Sequence, residues 1–124
     1  MGDRTSNSNA RVLAILICIL AAFIPACSKK PDVKTELNHL EQAFPDSKSN
    51  DFIGVALTAI RKADYAEGVI ALDSVKRVPG VTAAQLMTIQ NAMQAITTDL
   101  LARAARGEAQ AQVALAAIER SRSQ

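Results

Sequence analysis

An all-α fold follows from three features of this 124-residue chain. Apolar residues recur three and four positions apart from Val33 to Ile118, the spacing that lines one face of a helix. No segment alternates apolar and polar residues over a strand's length, and the β-branched residues are scattered among alanines. Pro45, the Pro79-Gly80 pair and Gly107 cut the pattern into pieces of helical length. Together these predict a small bundle of four or five antiparallel helices.

The first piece starts at Asp32, which can cap a helix carrying Val33, Leu37, Leu40 and Phe44 on one stripe. Pro45 disfavours helical geometry at Phe44, and Asp46 to Asn50 reads as a polar loop. A second helix is expected from Ser49 or Asn50, with Asp51 in its first turn and a stripe of Phe52, Ile53, Ala56, Leu57, Ala59, Ile60 and Ala63. Asp64 and Glu67 then stand at capping-box spacing, which breaks the chain and starts a third helix through Tyr65, Val69, Leu72 and Val75. Pro79 and Gly80 end it.

The fourth start is the best marked, because Val81, Thr82, Gln85 and Leu86 combine a hydrophobic staple with a capping box. Leu86, Ile89, Met93, Ile96 and Leu100 continue the stripe over about 24 residues. Arg103 and Arg106 fall in the last turn, where a cation offsets the carbonyl end and could also meet lipid headgroups or a partner's acids. Gly107 supplies the left-handed residue that closes the helix. A fifth helix is expected from Glu108 to about Glu119, with Ala111, Leu115 and Ile118 on its inner face. Ser121 to Gln124 are expected to fray as a disordered tail.

The front of the chain has a different character. Met1 to Arg11 is polar with two arginines, Arg4 and Arg11, and Val12 to Ile24 then runs 13 residues without a charge. A membrane-spanning helix needs about 20 apolar residues, so a run stopped by Pro25, Ser28, Lys29 and Lys30 has the length of a signal core instead. The boundary Ile24-Pro25-Ala26-Cys27 resembles the lipobox of bacterial lipoproteins. That resemblance implies cleavage between Ala26 and Cys27, diacylglyceryl attachment to Cys27, and membrane lipid as the partner of the acylated cysteine. It also implies a place in the bacterial cell envelope, on the outer membrane facing the periplasm if the host has two membranes, because Ser28 rather than Asp follows the cysteine. The expected organisation is a signal peptide over 1–26, a lipidated tether over 27–31, a helical domain over 32–120 and a tail over 121–124.

Residues 52–79 also resemble a single tetratricopeptide-like hairpin, through Phe52, Val55, Ala56 and Ala59 on one helix and Gly68, Leu72 and Val75 on the next, closed by Pro79. Small residues at Ala56 and Gly68 would let the two helices approach closely. Ala63 stands where such repeats commonly have glycine, and no second copy follows because the fourth helix runs through the place of the next turn.

Composition excludes more chemistry than it offers. Without Met1 to Ala26 the chain has one more basic than acidic residue and three aromatics, Phe44, Phe52 and Tyr65, so the basic, aromatic footprint of a nucleic-acid binder is missing. Cys27 is then the sole cysteine, committed to lipid, which removes disulfides, a thiol nucleophile and cysteine-ligated zinc. His39 is the only histidine and provides neither a metal cluster nor a base with a matched nucleophile. The carboxylates Asp64 and Glu67 are explained by capping rather than by acid and base work. No phosphate loop, nucleophile elbow or metal motif occurs, so no cofactor and no catalytic residue is expected. The function these features suggest is a membrane-anchored, non-enzymatic interaction or structural module, with a protein partner or self-association through helical faces. The alternatives are a cell-wall enzyme accessory or a small membrane-active lysis or stress lipoprotein.

Overall fold

The computed structural model describes residues 30–48 and 51–124; the expected signal segment and its Ala26–Cys27 boundary, and Ser49 and Asn50, lie outside them. Five helices follow in order: α1 (Val33–Ala43), α2 (Phe52–Arg61), α3 (Tyr65–Val75), α4 (Ala83–Ala105) and α5 (Ala109–Arg122). The class is all-α, and the helices pack in antiparallel contacts. None of the described helices is long and apolar enough to cross a membrane.

Two helical hairpins, α2–α3 and α4–α5, are closed by turns of the same design. After α2 the N–H of Ala63 donates to Ile60 O at 3.0 Å and that of Asp64 to Ala59 O at 2.9 Å. After α4 the N–H of Gly107 donates to Ala104 O at 3.0 Å and that of Glu108 to Arg103 O at 3.1 Å. Each pair is a Schellman closure, in which a left-handed residue lets the chain reverse while the last carbonyls stay bonded. Gly107 takes that conformation freely at φ 87°, whereas Ala63 adopts it with a side chain at φ 59°. In both turns the following residue, Asp64 or Glu108, is already the N-cap of the next helix.

The α2–α3 hairpin is the most extensive helix pairing, and Gly68 makes it possible. A Cβ at Gly68 would lie 2.7 Å from Ile60 Cγ1, closer than packed carbon atoms come. The helix therefore gives up propensity there to bring the two backbones together, as the small-residue pattern predicts.

Helix α4 is the spine of the bundle. Its Ile89, Ala92, Met93, Ala95, Ile96 and Leu100 are buried, and it meets α1, α3 and α5. Helix α1 lies along α4 far more than along its chain neighbour α2, and Leu40, fully buried, is its deepest residue. The Thr82–Gln85 capping box forms with both bonds, Gln85 N–H to Thr82 Oγ1 at 3.2 Å and Thr82 N–H to Gln85 Oε1 at 3.0 Å. The same Gln85 donates from Nε2 to the Ala43 carbonyl at 2.9 Å, so one amide caps the start of α4 and the end of α1 together. Thr82→Ala is accordingly expected to cost about 1 kcal/mol, while Gln85→Ala, which also orphans the Ala43 carbonyl, should cost up to about 2 kcal/mol in chemical denaturation.

Several sequence expectations are corrected at helix ends. Asp51 is the N-cap of α2 rather than a first-turn residue, and its carboxylate accepts from Lys48 N–H at 3.3 Å, with no side-chain bond to its own helix. Phe52 and Ala63 leave the buried stripe because they sit where α2 begins and just past where it ends, beyond the reach of neighbouring helices. The Asp64–Glu67 box is half made: Asp64 accepts from Glu67 N–H at 3.4 Å, and no return bond from the Glu67 side chain forms. Helix α5 continues past Glu119 to Arg122, with Ser121 Oγ donating to Ile118 O at 2.7 Å, so Ser121 and Arg122 belong to the helix and not to a tail.

Candidate functional site

The ends of the bundle differ in chemistry because antiparallel helices sort their termini. At one end lie the start of α1, both hairpin turns and the ends of α2 and α4. A concavity of about 440 Å³ there is lined by Lys30 and Lys34 together with Ile60, Arg61, Tyr65 and Asp99. The Arg103 guanidinium stands 6.0 Å from the centre of the Tyr65 ring, linking the two turns through a cation–π contact. At the other end lie the end of α1, the start of α2, the end of α3 and the approach to α4.

That second end holds an apolar cleft of about 520 Å³ lined by Phe44, Phe52, Ile53, Val75, Val78 and Val81, with Asp51 at its edge. Local rules deliver each wall. Pro45 ends α1 just after Phe44, and Asp51 starts α2 just before Phe52. α3 stops after Val75, leaving Val78 on the way to Pro79 and to Gly80 at φ 88°. Phe52 is 56% exposed and Val78 40%, and both belong to the lining of this one cleft, so their exposed apolar surface is contiguous. Among the described residues Asp51 is the only ionisable group in the lining, so the cleft can hold apolar groups and those residues place no nucleophile beside a base there.

Several of the other charged groups pair with one another. Asp73 on α3 accepts from Lys76 Nζ at 2.8 Å and from Arg77 Nη2 at 3.0 Å, beside a polar groove that also includes Gln90, Gln94 and Arg122. The hydrogen bond from Lys76, reinforced by its charge and that of Arg77, holds the Asp73 carboxyl below its ordinary value of 3.8 against the opposing effect of burial. Glu108 is likewise lowered from 4.5, first by its hydrogen bond from Arg103, whose own ionisation is raised by the same bond. Arg103 Nε lies 2.7 Å from Glu108 Oε2 and its Nη1 3.7 Å from Asp99 Oδ2. Folded-state lowering means that Asp73 stabilises the fold above pH 3.8 and loses that contribution as pH falls through its folded value. Asp73→Asn should therefore cost less than about 1 kcal/mol at neutral pH, with the difference from wild type closing below pH 3.8 in a pH series of thermal melts.

Of the residues singled out in the sequence, Asp64 lies at an N-terminal cap and His39 is exposed on α1, its Nδ1 3.4 Å from Glu36 Oε2. They are not brought together. Cys27 and Ala26 lie outside the described residues, and among those described no three His, Cys, Asp or Glu side chains converge to hold a metal ion. The cleft was not legible from sequence, because its walls come from four separate helix ends. The local signal was Phe52 itself, an aromatic directly behind a capping aspartate where the helix has not yet entered the core. Compared with known proteins, the chain matches no family model, no curated protein and no solved structure.

Proposed function

We propose that this chain is a bacterial envelope lipoprotein, anchored through acylated Cys27, whose helical domain is a non-enzymatic interaction module. The observation that carries the module reading is the Phe52 cleft, a half-open apolar cavity formed by four helix ends and sized for one or two large side chains of a partner. The anchor reading rests on the Ile24-Pro25-Ala26-Cys27 boundary behind a 13-residue uncharged run. Two or three acyl chains hold a protein stably at a membrane, since each buried methylene contributes about 0.8 kcal/mol.

Two measurements test this. Mass spectrometry of the protein purified from membranes should find Met1 to Ala26 missing and diacylglycerol on Cys27, with Cys27→Ala released from the membrane or retained as precursor. A photo-crosslinking residue in place of Phe52 should give one discrete adduct in intact envelopes, lost when Val78→Asp is added, while the same residue in place of Ala116 gives none. An intact, unlipidated amino terminus defeats the anchor reading. The absence of an adduct at position 52, or identical adducts from both positions, defeats the module reading.

A further inference from the structure

We infer that two copies of this chain pair through the outer face of α4, antiparallel about a two-fold axis near Gln94, with Met87 of each copy against Leu101 of the other. The inference goes beyond the Phe52 cleft and depends on neither the cleft nor the Cys27 anchor.

The first argument is the character of the face. Each of the other helices exposes a charged side chain: Lys34 on α1, Arg61 on α2, Glu67 on α3 and Arg120 on α5. A helix face that meets only water normally carries such charge. From Ala83 to Thr98 helix α4 has no ionisable residue, and the two that follow, Asp99 and Arg103, lie 3.7 Å apart on the side of Tyr65. The outward stripe is Met87, Asn91, Gln94, Thr98, Leu101 and Ala105, successive residues four or three positions apart, which is the spacing of a seam between paired helices. Thr98 is half-buried and the other five are exposed, Met87 at 68% and Leu101 at 56%. Scattered single apolar side chains on a surface are ordinary, whereas these two share one uncharged seam.

The second argument is symmetry. Met87 and Leu101 stand seven residues to either side of Gln94, so a two-fold rotation that reverses α4 about that point carries each to the place of the other. Residues near such an axis meet their own kind. A charge there faces a like charge, while the amides of Asn91 and Gln94 and the hydroxyl of Thr98 both donate and accept, and so pair with their own copies. This is what singles out a second copy as the occupant: a different partner is free to complement a charged face, but self-pairing needs a face of this uncharged kind. Arg122 and the Asp73–Lys76 pair border the groove beside Gln94, at the rim of the seam, where charges stay hydrated.

The third argument is size. Helix α4 has 23 residues and is about 34 Å long. A strip of that length and one helix diameter wide buries roughly 800–1,000 Å² over two copies, the low end for a specific interface. The dimer is therefore reversible and depends on concentration.

The experiment follows the full chain, purified in mild detergent, by sedimentation equilibrium over a concentration series. Wild type should pass from monomer to dimer as concentration rises. Met87→Glu and Leu101→Lys, both at exposed positions, should each weaken the dimer about tenfold or more, because each sets a charge against an apolar side chain twice per dimer. An equimolar mixture of the two variants should recover most of the wild-type association: the introduced carboxylate then meets the introduced ammonium at one contact, and the native Met87–Leu101 pair remains at the other. Val113→Glu alters a similarly exposed apolar side chain on α5, beside the groove that holds Tyr65, and should leave the dimer unchanged. A wild-type chain that stays monomeric throughout, a dimer indifferent to both α4 substitutions, or an equal loss in Val113→Glu overturns the pairing through α4. Loss in both single variants without recovery in the mixture overturns the antiparallel arrangement.

Discussion

Gly68→Ala is expected to destabilise the domain by about 1 kcal/mol, although the same change in an open helix would stabilise it by about as much. The reason is the 2.7 Å approach that the new Cβ would make to Ile60 Cγ1, with Gly68 and Ile60 both buried in the α2–α3 contact. Ile60 is β-branched and enclosed, so it cannot swing aside, and the hairpin must open by a fraction of an ångström. Overpacking of that kind costs about 1–3 kcal/mol, which exceeds the propensity gain. Gly68→Leu should cost about 3 kcal/mol or more, a large share of the roughly 5–15 kcal/mol that holds a domain together. In a thermal melt the alanine variant should lose about 4–8 °C. A double-mutant cycle isolates the cause: in an Ile60→Ala background, Gly68→Ala should become neutral or stabilising. If the alanine change stabilises the protein in the presence of Ile60, the close approach does not govern the hairpin.

The hairpin also shows how far the sequence carries. Small residues at Ala56 and Gly68 pointed to a close helix pair, and the structure has it at Gly68. Thr82 with Gln85, and Gly107, marked the start and stop of α4 because caps are local, encoded within four residues of the end they close. Ala63 was noted as standing where glycine is usual, and it takes the left-handed φ of 59° that the turn demands. What stayed hidden depends on partners distant in the chain. Nothing near Val33 says that α1 will lie on α4 rather than on α2, and nothing near Gln85 says that its amide will also reach Ala43, 42 residues away. Phe52 fits a helical stripe by spacing, yet spacing cannot tell that the stripe's first residue projects past the helices that would cover it. Arg103 and Glu108 read separately as dipole compensation and helix start, while the turn between them folds the two into an ion pair. The cleft and the charged end were both invisible for one reason: each is assembled from helix termini, and pairing decides which termini meet.

Leu40→Ala should detach α1 from the bundle before the rest unfolds, at a cost of about 2–5 kcal/mol. Leu40 is fully buried, and the other apolar residues of this segment, Val33, Leu37 and Phe44, are only half-buried against the core. An 11-residue helix is too short to persist alone in water, so α1 exists because it is docked. Once Leu40 is truncated, what remains is the Gln85–Ala43 hydrogen bond, the exposed Arg61–Glu41 ion pair and partial apolar contacts, each contributing about 1 kcal/mol or less. Local opening of that kind is distinguishable from global unfolding by protease, because Lys34 lies within α1 whereas Lys76 is the C-cap of α3 and Arg103 lies within α4. Trypsin should cut the Leu40→Ala protein after Lys34 much faster than wild type while cleavage after Lys76 and Arg103 changes little. Equal acceleration at all three positions would mean that α1 is an inseparable part of the core.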